Sequence, residues 1–235
     1  MTDSQTETHL SLILSDTAFP LSSFSYSYGL ESYLSHQQVR DVNAFFNFLP
    51  LSLNSVLHTN LPTVKAAWES PQQYSEIEDF FESTQTCTIA QKVSTMQGKS
   101  LLNIWTKSLS FFVTSTDVFK YLDEYERRVR SKKALGHFPV VWGVVCRALG
   151  LSLERTCYLF LLGHAKSICS AAVRLDVLTS FQYVSTLAHP QTESLLRDSS
   201  QLALNMQLED TAQSWYTLDL WQGRHSLLYS RIFNS

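Results

Sequence analysis

Glycine and proline are scarce, seven and six in 235 residues, about half the usual ~7% and ~5% or less. Tight hairpins draw on both for their special backbone angles, so a many-stranded sheet is hard to build here and helices are favoured. Cysteine is confined to Cys87, Cys146, Cys157 and Cys169, without CxxC spacing. That excludes a disulfide framework or a locally encoded zinc knuckle and points to a reducing, cytosolic setting. An excess of charge of one sign is also missing: 18 Lys+Arg stand against 21 Asp+Glu, leaving no global field to hold nucleic acid. The longest apolar run, Tyr158 to Leu162, meets Gly163, His164 and Lys166 well short of the ~18 residues of a membrane span. The chain reads as soluble, with no membrane association.

What is present is helical periodicity. After Asp41, an expected N-cap, Val42, Phe45, Phe46, Leu49, Leu53, Val56 and Leu57 form one apolar face, with Pro50 expected to kink it. From Thr116, Val118, Phe119, Leu122, Tyr125 and Val129 make a second stripe, with Asp117 at its start and Arg127, Arg128, Arg130, Lys132 and Lys133 at its end, the order a helix dipole prefers. Ser152 is an expected N-cap for Leu153 to about Leu178, apolar nearly all round and suited to the centre of a bundle. Further helical segments are expected at 24–34, 77–106, 183–205 and 218–233. Thr86 to Ile89, β-branched, can also be read as a strand. No repeat or Pro/Ser-rich linker divides the chain. The reading is all-α: a single-domain helical bundle of roughly eight to ten helices over residues 9–235, preceded by a disordered tail at 1–8.

Motifs that carry chemistry are weak. Gly98-Lys99-Ser100 ends like a P-loop, but Val93 stands where the upstream Gly belongs and helical residues follow. The seven His residues include no i,i+4 pair and no HExxH, so no catalytic or resident metal site is encoded locally. His164 beside Cys157 and Cys169 is a possible nucleophile pair, against the simpler reading of a core histidine between apolar thiols. The carboxylates Glu76, Glu78 and Asp79 sit on what reads as a polar surface. Two stretches stand out by composition: Phe19 to Glu31, where aromatics alternate with hydroxyls, and Arg224 to Ser235, where Leu228, Ile232 and Phe233 lie among Arg224, His225 and Arg231. An apolar chain end of this kind docks on its own core or on a partner.

Together these stretches resemble the UreF family of urease accessory proteins. Pro20, Phe24, Ser25, Tyr26, Ser27, Gly29, Leu30 and Glu31 follow the family's N-terminal pattern. Four further blocks agree in order: Ser94 with Gln97-Gly98 and Leu101-Leu102; His137, Pro139, Val140 and Gly143 before Leu149-Gly150-Leu151; Ser170 to Leu175; and His225 with Leu228 to Phe233. Ser22 and Ser23 replace a usual Gly, Thr95 a usual Arg, and Ser226 a usual acid beside His225.

The resemblance implies a non-enzymatic, cytoplasmic chaperone that dimerises, binds a UreD/UreH-type accessory protein and recruits the nickel-carrying GTPase UreG, so that nickel enters apo-urease. Nickel is then a passing cargo, with no cofactor held stably. The residues it points to for partner binding are Phe24, Tyr26, Tyr28, Gly29, Glu31, His137, Arg174, Arg224, His225, Tyr229, Arg231 and Phe233. Arg174, within an apolar helix, is expected to be buried against a carboxylate or carbonyl. An unrelated helical adaptor and a Cys/His hydrolase are the alternative readings.

Overall fold

The computed structural model describes residues 4–21, 25–38, 41–112 and 116–233; Ser22, Ser23 and Phe24, on which expectations were placed, lie outside them. Among the described residues there are twelve α-helices and no strand: α1 Ser4–Leu14, α2 Leu30–Gln37, α3 Val42–Thr59, α4 Leu61–Glu69, α5 Tyr74–Thr84, α6 Thr88–Ile104, α7 Thr116–Arg130, α8 Phe138–Ala148, α9 Leu153–Arg174, α10 Ser180–Ala188, α11 Pro190–Ala203 and α12 Tyr216–Arg224.

The expected caps form. Asp41 Oδ1 accepts from the Ala44 amide at 2.7 Å and Ser152 Oγ from the Arg155 amide at 3.3 Å, each satisfying an otherwise orphan N–H. Pro62 lies in the first turn of α4 and Pro190 opens α11, where the missing N–H costs nothing. The segment expected at 183–205 is therefore two helices. Thr86 to Ile89 is no strand: Cys87 is an extended N-cap and α6 begins at Thr88. A helix closes its own backbone bonds, whereas a strand here has no partner to close them.

The tail at the N-terminus also departs from expectation, because residues 4–8 begin α1. Leu10 and Leu14 are buried, and the Glu7 carboxylate accepts from the backbone N–H and the hydroxyl of Ser152 at 2.8 and 2.6 Å. The polar start of α1 is thus tied to the start of α9, which composition alone hides.

Helix α9, 22 residues long, is the axis of the bundle and packs against α1, α2, α3, α4, α8, α10 and α11. Leu161, Ala165, Ile168, Cys169 and Ala172 on it are fully buried; each large apolar side chain so buried contributes about 1.5–3 kcal/mol over its exposed state. By length and composition α9 is apolar enough to cross a membrane, yet 61% of its most apolar window is buried inside the bundle. Helices α4 and α8 pack along the most extensive interface among the described helices. Gly143 allows it: a Cβ there would fall 2.5 Å from the Val64 carbonyl oxygen.

Candidate functional site

The N-terminal block and the chain end, 194 to 202 residues apart in sequence, meet at one carboxylate. Tyr28 and Gly29 both take left-handed backbone angles, φ 53° and 87°, and turn the chain into α2, whose second residue is Glu31. Glu31 is only 3% exposed. Glu31 Oε1 accepts from the Ile232 amide at 2.7 Å, and Oε2 from the Phe233 amide at 3.2 Å and the His225 Nε2–H at 2.9 Å. A buried carboxylate with three donors is adequately solvated by the protein itself. His225 is fully buried and Phe233 nearly so, so the final segment is pinned at both of its ends.

Aromatic packing delivers the segment to this point. Tyr33 of α2 meets Phe48 of α3 at 5.2 Å and Trp221 of α12 at 5.9 Å between ring centroids, and Trp215 lies 5.3 Å from Phe48. Edge-to-face contacts of this kind contribute about 0.5–1.5 kcal/mol each beyond area burial. His36 Nε2 lies 3.2 Å from the Arg224 carbonyl oxygen, closing the end of α12 over α2. Beyond it a 3-10 turn spans His225–Leu227. Leu227 is 70% exposed, Ile232 60%, and Tyr229 fully exposed, with Arg224 and Arg231 exposed on either side.

Arg174 corrects one expectation. It is exposed rather than buried, and its guanidinium stacks 4.1 Å over the Phe233 ring. Partial desolvation pulls its pKa down while the nearby Glu31 charge pushes it up. It therefore covers the pinned residue from outside, a cation–π contact of about 0.5–2 kcal/mol.

His137 belongs to a separate hub, away from Glu31. Fully buried, it sits with Nδ1 3.0 Å from Ser94 Oγ and Nε2 2.7 Å from Glu82 Oε2. Beside it Glu78 accepts from the amides of Leu135, Gly136 and His137 at 2.8, 2.7 and 3.0 Å and from the Tyr125 hydroxyl. Glu78 overturns the polar-surface reading of its segment: it is 4% exposed, while Glu76 and Asp79 point to solvent. The sign was there in the spacing, because Tyr74, Ile77, Glu78 and Phe81 form the buried stripe of α5 and an acid within an apolar stripe must have partners. Gly98 of α6 is needed for the same hub, since a Cβ on it would lie 2.0 Å from the Gly136 carbonyl oxygen.

The remaining expectations resolve by geometry. Tyr26 is buried, its hydroxyl 3.2 Å from Met96 Sδ; the Tyr28 hydroxyl accepts from Gln97 Nε2 at 2.8 Å. Buried as they are, Tyr26, Glu31, His137, His225 and Phe233 position the backbone, leaving Arg224, Tyr229 and Arg231 on the surface. Gly98-Lys99-Ser100 lies inside α6, with helical rather than phosphate-cradling backbone. Burial pushes the Cys157 and Cys169 thiols up to about 12 and the His164 imidazole down to about 3, and His164 Nε2 bonds Ser52 Oγ at 2.9 Å instead of a sulfur. A thiolate–imidazole nucleophile is not assembled. The basic run ending α7 is solvated, with Arg127 and Arg130 paired to Asp123 and Glu126 one turn back at 2.9 and 2.6 Å.

The chain is similar to known proteins along most of its length. The chain is 28% identical to urease accessory protein 6 of Cryptococcus neoformans var. grubii, over 70% of this chain and 64% of that protein, so it spans less than two thirds of that relative. It is 27% identical to urease accessory protein F of Oryza sativa subsp. indica, over 94% of this chain and 82% of that one. With urease accessory protein UreF of Bacillus sp. it shares 26% identity over 94% and 96%. The sequence model of the UreF family matches residues 39–191, more than half of the chain. The chain belongs to the UreF family of urease accessory proteins, the non-catalytic components of urease maturation.

Proposed function

We propose that this chain is the bridging subunit of a cytosolic nickel-loading complex. It binds a UreD/UreH-type accessory protein, recruits a UreG-type GTPase, dimerises within the assembly, and so promotes nickel insertion into apo-urease. The observation that carries this reading is the pinned chain end. Glu31 holds the His225 ring and the backbone at Ile232 and Phe233, while Leu227, Tyr229 and Ile232 stay exposed together with Arg224 and Arg231. A segment held rigidly with its apolar and cationic side chains outward loses little entropy on docking, and Tyr and Arg are the residue types that dominate binding energy at interfaces.

Nickel enters this scheme as cargo. Among the described residues no group of three or more His, Cys, Asp or Glu is gathered to hold a metal, and a component that hands a cation on is better served by weak, scattered ligands than by a tight nitrogen–sulfur site. The test is co-expression of this chain with UreD-type and UreG-type partners, followed by size-exclusion chromatography with mass determination and nickel analysis of each peak. A ternary complex that forms only when this chain is present is the expected result. A well-folded chain eluting alone beside its partners overturns the reading and favours a helical adaptor of other purpose.

A further inference from the structure

A cavity of about 360 Å³ lies among α3, α6, α8, α9 and α12, inside the roughly 300–1,000 Å³ range of small-molecule sites. One wall is aromatic: Phe138 stacks on Phe160 at 5.3 Å and lies 5.6 Å from Trp142. The facing groups are polar but neutral, Ser52 bonded to His164 and Gln97 bonded to the Tyr28 hydroxyl. We propose that this cavity is a binding site for a small neutral aromatic molecule, a role separate from partner bridging.

Charge decides the class of ligand. Among the described lining residues Asp219 alone carries a full charge, and it is engaged at the mouth, accepting from Thr86 Oγ1 and Gln213 Nε2 at 2.9 Å each. Burial keeps the imidazole of His164 neutral down to a pKa of about 3. An anion entering here gives up its hydration and finds no counter-charge, and a cation finds only Asp219, already engaged by Thr86 and Gln213, so either meets a desolvation cost of several kcal/mol. An apolar cavity of about 150 Å³ already takes benzene, and aromatic walls favour edge-to-face or offset rings. This cavity has more than twice that volume and polar groups besides, which fits a bicyclic ring with one N–H or O–H.

The test is isothermal titration of the full chain with three probes that share one ring: indole, indole-3-acetate and tryptamine. Indole is expected to saturate at one molecule per chain, with the anion and the cation at least tenfold weaker. Gly163→Phe supplies the second arm. Gly163 lines the cavity, is exposed, and a Cβ there meets nothing within 4 Å, so a new side chain starts without a clash and its phenyl ring is added at the cavity wall. That variant is expected to melt at the parent's temperature and to bind indole at least tenfold more weakly. The proposal is overturned by indole heats that do not saturate, by equal binding of all three probes, or by undiminished binding to the folded variant. Should Gly163→Phe melt early, the three-probe series on the unaltered chain decides alone.

Discussion

Replacing Glu31 by Leu should free the chain end while leaving the bundle folded. The carboxylate receives three N–H donors, from Ile232, Phe233 and His225. A leucine in its place fills much the same space and accepts nothing, so all three N–H groups lose their partner. Ile232 is 60% exposed and can turn to water, but His225 and Phe233 are buried and cannot. An orphaned buried donor costs about 1–3 kcal/mol, giving about 2–6 kcal/mol if both are lost. What remains to hold the segment is the burial of Phe233, about 1.5–3 kcal/mol, and its contact with Arg174, about 0.5–2 kcal/mol. The loss matches what is left, so the segment opens locally, while the aromatic packing that seats α12 on α2 and α3 is untouched. Hydrogen exchange at the Ile232 and Phe233 amides is the assay. Loss of 2 kcal/mol raises exchange there about 30-fold, with the melting temperature moved by only a few degrees. Unchanged exchange at both amides in a natively folded Glu31→Leu variant would refute the pinning argument.

Other consequences follow from single contacts. Gly98→Ala drives a Cβ into backbone 2.0 Å away and should cost about 3 kcal/mol or more, whereas Gly163→Ala, in an open helical position, should gain about 0.5–1 kcal/mol; paired denaturant melts check both. His164 titrates at about 3 when folded and about 6.5 when unfolded. Its contribution is therefore complete above about pH 6.5 and is lost as pH falls toward 3, by at most about 1.4 kcal/mol per pH unit; His164→Gln should flatten that part of the stability profile. Burial alone pushes the Glu7 carboxyl up, but the Ser152 hydroxyl and amide and the Arg155 charge outweigh it and hold the folded pKa below the usual carboxylate value. The anchoring of α1 is then present above the unfolded pKa and lost as pH falls through the folded one, which exchange at the Leu10 amide should report and Glu7→Gln should abolish.

The helices were legible where local rules decide them. Asp41 and Ser152 cap as expected because an N-cap needs only its own turn, and the nearly all-apolar α9 lies at the centre because no other place hides such a surface. What was hidden depended on distant partners. Glu78 looks solvated until the amides of 135–137 arrive, α1 looks polar until Glu7 meets Ser152, and Arg174 sits at the last residue of α9, where its side chain escapes the helix's apolar surroundings. The site divides the same way. The family blocks at both chain ends marked Glu31 and His225, but nothing in their spacing says that one binds the other, or that His137 serves a separate hub.

The most direct test of the central claim asks whether the pinned segment's outward side chains bind the UreD-type partner. Leu227 and Tyr229 are exposed, so Leu227→Asp with Tyr229→Asp leaves the fold intact. Affinity of this double variant for the UreD-type protein, measured by titration beside the unaltered chain, is predicted to fall at least a hundredfold at an unchanged melting temperature. Full affinity from the folded double variant would contradict the account and place the partner surface elsewhere on the bundle.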